Sequence, residues 1–425
     1  MNNEIYLPRL IDKQVTLRLE TFGAICIEGA KWCGKTWTSR HHAKSAIYLG
    51  DPSGNFQNKE LIKLAPNTAL DGETPRLIDE WQEVPSVWDT VRHEVDKRGK
   101  KGQFILTGSS TPVQKGILHS GAGRISTIRM RPMSLYESND SSGQVSLQSL
   151  FDGTFEAIGA VQDVDLQTLI ELTIRGGWPG SLGLKYEQYS LIPKEYMRSI
   201  INHDIYRLGG IGRDARKMDL LLRSLARNES TTASISTLKS AIMEYENDDL
   251  ASDTISTYLT IFDRLFLIDN QKAFSANIRS STRIKQSDKR HFVDPSLAIA
   301  ALGANYDDLL NDLNTFGFMF EALCERDLRI YAESIGGELF HYQDYKNREI
   351  DAIIQLDDGR WGAFEIKLGA DSIDRAAKSL IEISNSLEAE GGRKPDILVV
   401  ICGLSNFSYQ REDGVYVVPI TSLRP

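Results

Sequence analysis

The sequence predicts two α/β units joined by a helical middle, and three patterns support this. In the first third, apolar runs of about four to six residues alternate with stretches of helical periodicity, the pattern of a parallel sheet with helices on its faces. From Leu166 to Tyr258 the apolar spacing is mainly helical. From Phe316 a long helical pattern leads into strand-like runs with one helix among them, a second α/β unit. At roughly 100–200 residues per domain, the 425 residues make two to four domains. The patterns divide the chain at 1–140, 141–215, 216–305 and 306–425.

Taken in order, the first strands are expected at Ala24–Glu28, Ala46–Leu49, Arg76–Asp79, Phe104–Thr107 and Ile125–Met130. The polar stretch Glu137–Gly143 reads as a loop or linker. Helices follow around Leu220–Leu225 and Ile255–Leu265, the second with Ser252 or Asp253 as N-cap. A short strand at Phe266–Asp269, a polar basic stretch and His291–Val293 form a hairpin-like arrangement. The last unit has a helix at Phe316–Ala332 and strands at Glu338–Gln343, Glu349–Gln355 and Trp361–Lys367. A helix near Ser372–Glu390 and strands at Ile397–Cys402 and Val415–Pro419 complete it.

Composition narrows the function classes. Apolar residues at 41% and charged residues at 25% are globular proportions, which excludes collagen-like and disordered chains. A net charge of −9 excludes a uniformly basic nucleic-acid coat but leaves room for a local basic patch. Cys26, Cys33, Cys324 and Cys402 form no CxxC pair, and the longest apolar runs are about six residues, against about 20 for a membrane helix. The first residues carry no secretory pattern. The expectation is a soluble, cytoplasmic protein with no membrane partner.

Gly29-Ala30-Lys31-Trp32-Cys33-Gly34-Lys35-Thr36 matches G-x-x-x-x-G-K-[ST] between an apolar strand and a helix. Gly29 and Gly34 let the backbone wrap a phosphate, Lys35 would meet the β- and γ-phosphates, and Thr36 would ligate Mg²⁺. Arg76-Leu77-Ile78-Asp79-Glu80 ends a strand in two carboxylates, with Asp79 for the Mg²⁺ shell and Glu80 as general base toward water. Ser109 ends a further strand where a residue sensing the γ-phosphate would stand. Arg124, Arg129 and Arg131 offer cations for transition-state charge, within the chain or across a subunit boundary. The cofactors these motifs call for are ATP and Mg²⁺.

With these motifs in place, the first ~135 residues resemble the AAA-type, archaeal-ATPase-like P-loop ATPases, an ASCE parallel sheet, through GAKWCGKT, RLIDEWQEVP, FILTGSS and GAGRISTIRMRPMSLYE. IRGGWPGSL (Ile174–Leu182) resembles the start of the DUF4143 domain that follows such ATPases. The resemblance implies ATP hydrolysis by Lys35, Thr36, Asp79 and Glu80, with a helical connector or lid at 141–215. It also implies a homo-oligomer in which an arginine completes the neighbour's site, Arg124 being the first candidate.

Residues ~216–295 resemble a winged helix: three helices, a strand and a hairpin. The Asp253–Leu265 helix would be the recognition helix. The segment Arg279–His291 would be a wing whose Arg279, Arg283, Lys285, Lys289 and Arg290, against one acid, give +4 for DNA backbone contact. A solvated hairpin, or a winged helix that packs subunits, reads the same way.

At the C-terminal end, Asp351 and Glu365 are expected on neighbouring strands, with Lys367 on the same face as Glu365 and Glu321 on the preceding helix. This resembles the PD-(D/E)XK, restriction-endonuclease-like fold. The resemblance implies Mg²⁺ or Mn²⁺ held by Glu321, Asp351 and Glu365, with Lys367 orienting or deprotonating water. Two readings lead, beside a third in which the chain is a scaffold whose C-terminal unit binds a partner protein. One is an ATPase acting on DNA, with nucleotide state gating a metal-dependent nuclease. The other is a nucleotide-switched DNA-binding or signalling regulator whose nuclease-like fold is an interaction module.

Overall fold

The computed structural model describes residues 6–111, 119–156, 164–204, 214–274, 287–344 and 347–425. Its first sheet holds β1 (Ala24–Glu28), β2 (Ser45–Tyr48), β3 (Arg76–Asp79), β4 (Phe104–Gly108) and β5 (Ile125–Arg129). All pairings are parallel, in the order β2-β3-β4-β1-β5. The strands read as unbroken apolar runs because both faces are covered. On one face Cys26, Ile78 and Leu106 pack with Trp81, Trp88 and Val91. On the other, Ile25, Leu77 and Ile105 pack with Val15 and Cys33. Covering helices include α1 (Asp12–Thr21), α2 (Lys35–His42), α3 (Ser53–Leu64) and α4 (Ser86–Arg98). The five expected strands are present with ends shifted by at most one residue.

The middle comprises α5 (Leu166–Arg175), capped by Asp165 accepting from the Thr168 amide, then α6 (Leu191–Ser199), α7 (Ala215–Arg227), α8 (Ile235–Glu246) and α9 (Ser252–Arg264). Single bridges pair Thr231 with Arg290, Ile268 with Phe292 and Gln271 with Lys289. These bridges tie together the segments that flank α7, α8 and α9. The N-cap of α9 is Ala251; Ser252 and Asp253 lie inside the first turn, so neither caps it as expected.

After β6 (Lys272–Ala273) come α10 (Pro295–Leu302), α11 (Leu313–Ser334), β7 (Gly337–Gln343), β8 (Glu349–Leu356), β9 (Trp361–Gly369) and α12 (Ile373–Ala389). The chain continues through β10 (Ile397–Leu404), β11 (Tyr409–Gln410) and β12 (Tyr416–Pro419). The second sheet has the order β11-β12-β10-β9-β8-β7-β6. Its edge strand β6 follows α9 and pairs parallel with β7, Lys272 opposite Phe340. One core runs from Leu169 of α5 through Leu221 and Leu225 of α7 and Phe320 and Leu323 of α11 to Ile354, Phe364 and Ile401 of the second sheet.

The polar stretch after the first sheet is a pinned loop. Asp140 pairs with Arg175, the Ser141 hydroxyl donates to the Leu423 carbonyl at 2.7 Å, and Val145–Ser146 runs parallel to Leu423–Arg424. The Gly176-Gly177-Trp178-Pro179 stretch meets Met133 of the RMRPMSLYE run. The Gly177 carbonyl accepts from the Met133 amide at 2.6 Å, and its own N–H donates to Asp294 Oδ2 at 2.9 Å. A Cβ on Gly177 would fall 2.0 Å from the Met133 carbonyl oxygen, so only glycine allows this approach.

Candidate functional site

The phosphate loop leaves the end of β1, a central strand, and enters α2. A Cβ on Gly29 would fall 2.1 Å from the Met130 carbonyl oxygen, and Gly34 has φ +108°, so both positions require glycine. Lys35 is buried and donates from Nζ to the Ala30 carbonyl at 2.7 Å, folded back onto the loop it would leave to reach a phosphate. Thr36 Oγ1 donates to Asp79 Oδ1 at 2.9 Å. These two oxygens, at adjoining ends of α2 and β3, are the hard donors that Mg²⁺ takes beside nucleotide phosphates, so the residues fit the ion. Burial pushes the Asp79 carboxyl up, while hydrogen bonds from Thr107 and Thr36 pull it back.

Thr107 was part of the small polar strand end but not singled out in the sequence. Its hydroxyl donates to Asp79 Oδ1 at 2.7 Å and accepts the Glu80 N–H at 3.0 Å, joining the two carboxylate residues through β4. Glu80 has φ +57°, which turns it out of the strand. Its Oε2 accepts from Ser109 Oγ at 2.7 Å and from Gln82 Nε2, so Ser109 stands on the candidate base itself. Two residues on, the Thr111 N–H donates to the Arg264 carbonyl at 2.9 Å, and the Arg264 guanidinium donates back to the Thr111 carbonyl at 2.7 Å. The segment that touches Glu80 therefore also holds the end of α9.

Arg9, which no motif marks, is buried behind the loop and donates to the Cys33 carbonyl at 2.8 Å, the Arg131 carbonyl at 3.0 Å and Glu137 Oε1 at 2.9 Å. Arg124 precedes β5 at the opposite end of the sheet from the phosphate loop. The five residues to Arg129, which is level with Glu28, span about 16 Å. Arg124 is half-exposed and pairs with Asp96 at 2.8 Å, so it is not brought to its own chain's site. Arg129 and Arg131 turn away as well. Together with Arg329 of α11 they surround Asp269, Arg129 at 3.4 Å and Arg329 at 3.1 Å, and Arg131 also meets Glu333 at 2.6 Å. The three guanidinium groups hold the buried Asp269 carboxyl far below the usual carboxylate range, against the opposing effect of burial.

In the C-terminal unit, β8 and β9 bring Asp351, Glu365 and Lys367 together as the sequence suggested. Lys367 Nζ lies 3.3 Å from Asp351 Oδ2 and 2.9 Å from Glu365 Oε1, and the Ile366 N–H donates to Asp351 Oδ2 at 2.7 Å. Burial and the Asp351 charge push the Glu365 carboxyl up to about 8. Glu321 is engaged by the Lys289 ammonium, which also bonds Glu325 Oε1 at 2.7 Å and the Asp351 carbonyl at 3.3 Å. Among the described residues no group of three or more His, Cys, Asp or Glu side chains is arranged to hold a metal ion. Glu325, one turn beyond Glu321, and His291, 3.0 Å from Glu229 and 3.1 Å from Glu325, extend the cluster and carried no signal in the sequence.

The same contacts correct the wing reading. Lys289 is 7% exposed and spent on carboxylates, so it is not available to a DNA backbone, while the partly exposed Arg290 donates from Nε to the Ala233 carbonyl at 3.1 Å. Arg279, Arg283 and Lys285 lie outside the described residues. The exposed face of α9 presents Asp253, Ser256, Thr257, Thr260 and Asp263, its cation Arg264 being bonded to the Thr111 carbonyl, and the three hydroxyls donate to carbonyls of their own helix.

Family models match three stretches of the chain. Residues 21–139 match the AAA domain model (AAA_14), residues 166–308 a domain of unknown function, DUF8612, and residues 316–423 the DUF4143 domain. The first unit is thus an AAA domain of the P-loop ATPase type, the class of nucleotide-hydrolysing domains, and the last is a DUF4143 domain. IRGGWPGSL falls in DUF8612, and DUF4143 begins only at residue 316, where α11 starts to carry the carboxylate cluster. Uncharacterized proteins of Mycobacterium tuberculosis and Mycobacterium bovis are each 24% identical over 365 residues, 84% of this chain and 73% of theirs. A Walker-type ATPase of Pyrococcus abyssi aligns at 12% identity over 68% of this chain and 94% of its own, with a TM-score of 0.39. No described helix is long and apolar enough to cross a membrane.

Proposed function

We propose that this protein is an ATP-driven switch that acts on DNA: it hydrolyses ATP at the phosphate loop and passes the nucleotide state to its winged-helix unit. The observation that carries this reading is the segment after β4, in which Ser109 bonds the Glu80 carboxylate while Thr111 exchanges hydrogen bonds with Arg264 of α9. A γ-phosphate that draws Ser109 or Glu80 out of this contact pulls on α9 through two residues of backbone. Lys35 and the loop amides bind the phosphates, Thr36 and Asp79 hold Mg²⁺, which screens phosphate charge when bound, and Glu80 takes a proton from water. The four cysteines are buried thiols, in keeping with a reducing, cytoplasmic setting. DNA contact is assigned to Arg279, Arg283 and Lys285, cations of the basic stretch of the sequence, because the exposed residues of α9 are mainly hydroxyls and acids.

ATPase assays with and without duplex DNA test this. DNA is expected to raise turnover in the wild type, and Arg264→Ala to abolish that response while leaving basal turnover intact. Arg283→Glu with Lys285→Glu should weaken DNA binding and lower its salt slope by about 2. Turnover indifferent to DNA, or a response that survives Arg264→Ala, would remove the coupling route. The second reading, metal-dependent phosphodiester cleavage, draws on the closeness of Asp351, Glu365 and Lys367 and stands against the placement of Lys289.

A further inference from the structure

We infer that Lys289 is the resident cation of the C-terminal carboxylate cluster: its ammonium takes the place of a divalent ion and ties the winged helix to α11 and β8. The ammonium has three donors, and three oxygens receive it, on Glu321, on Glu325 and on the Asp351 backbone. A Mg²⁺ or Mn²⁺ beside Glu321 would have to share that volume with a positive charge, at ligand distances near 2.1 Å instead of the ammonium's 2.7–3.3 Å.

The lysine is also held by its backbone. Its N–H and carbonyl pair with Gln271 at 2.8 and 2.9 Å, and Gln271 Nε2 donates to the Phe340 carbonyl at 2.6 Å and the Asp351 carbonyl at 3.3 Å. On the next residues, Arg290 is bonded to Ala233 and the His291 N–H to Asn270. Swinging the Lys289 ammonium out would leave Glu321 and Glu325 buried without that counter-charge, which is costly, while the backbone pairing keeps the side chain's root beside them. The second lysine, Lys367, meets the Asp351 and Glu365 carboxyl groups from the other side. Two ammonium groups therefore serve four carboxylates, and the cluster is a strut between units instead of a cleavage centre. This inference is independent of ATP hydrolysis, so its test is run without nucleotide.

Mn²⁺ binding to the full chain is counted by electron paramagnetic resonance of the free ion. In the wild-type background, Glu321→Gln and Asp351→Asn are expected to leave the Mn²⁺ stoichiometry unchanged. Lys289→Ala, which frees Glu321 and Glu325, is expected to add one Mn²⁺ per chain, and Lys289→Ala with Glu321→Gln to lose it again. Mn²⁺ should raise the melting temperature of Lys289→Ala and not that of the wild type. A wild-type Mn²⁺ site that disappears with Asp351→Asn or Glu321→Gln overturns the inference, as does a folded Lys289→Ala protein that gains no site. Should Lys289→Ala fail to fold, the two wild-type-background variants decide alone.

Discussion

Asp269→Asn tests the junction of the three units most directly, because one carboxylate there serves Arg129 of the first sheet, Arg131 just beyond it and Arg329 of α11. The amide keeps the shape and removes the charge. Breaking a buried ion pair from one side costs about 3–5 kcal/mol, since the partner charge stays buried. The lower end applies here, because each arginine keeps another acceptor: Ile268 O for Arg129, Glu333 for Arg131 and Asn270 O for Arg329. At about 2 °C per kcal/mol, the smaller slope expected of larger domains, the apparent melting temperature should fall by about 6 °C in differential scanning fluorimetry. Asp269 is held below its ordinary range, so its contribution is present above the unfolded carboxylate pKa and is lost only as pH falls through the folded value. The gap between wild type and variant should therefore be constant from pH 8 to about pH 5 and close only at lower pH. Because the cluster is buried, 0.5 M NaCl should leave the gap nearly intact. A shift below 1 °C, or a gap that disappears in salt, refutes the reasoning.

Five further outcomes follow from the same contacts. Lys35→Ala should abolish ATP turnover, and Glu80→Gln should lower kcat by about 10²–10⁴ while ATP binding persists in a fluorescent-nucleotide titration, the range attributed to a positioned general base. Arg124→Ala removes an exposed pair with Asp96, so melting should change by less than about 0.5 kcal/mol in equivalent stability and turnover of dilute protein should be unaltered. A loss of turnover that grows with protein concentration would instead reveal a neighbouring chain using that arginine. Gly177→Ala drives a Cβ toward the Met133 carbonyl and should cost about 1–3 kcal/mol or more, read as a lower denaturant midpoint or loss of soluble protein. Glu365→Gln replaces a carboxyl whose folded pKa is raised. That acid's contribution to stability is greatest below its unfolded pKa and fades as pH rises through 8, so the variant should gain on the wild type in melting temperature between pH 5 and pH 9.

Local chemistry was legible in the sequence where one residue type and one spacing suffice. The strand ends at Glu28, Asp79 and Gly108 follow from apolar runs cut off by glycine or carboxylates, and the loop between Gly29 and Thr36 follows from its pattern. Asp351, Glu365 and Lys367 were placed by the period of two along neighbouring strands. Partners distant in sequence carried no such signal. Arg9 closes on Glu137 across 128 residues, and Lys289 meets Glu321 and Glu325 from another unit. A run of basic residues reads as one surface patch, yet strand pairing sends alternate side chains to opposite faces. Lys289 therefore went inward while its neighbours' charge suggested solvent. Ser252 and Asp253 failed as caps because the helix begins one residue earlier than the nearest capping side chain would set it.

The pairing of β6 with β7 bears on how separable the units are. The match to DUF4143 begins at residue 316, but the sheet it covers draws its last strand from residues 272–273, some forty residues upstream. A fragment cut at the family boundary would bare the backbone groups of β7 along a row that Lys272 and Ala273 now occupy, an invitation to edge-to-edge association. It would also strip Glu321 and Glu325 of their cation. In this chain, then, the C-terminal sheet takes both its outer strand and the cation of its acidic cluster from residues that precede the family boundary.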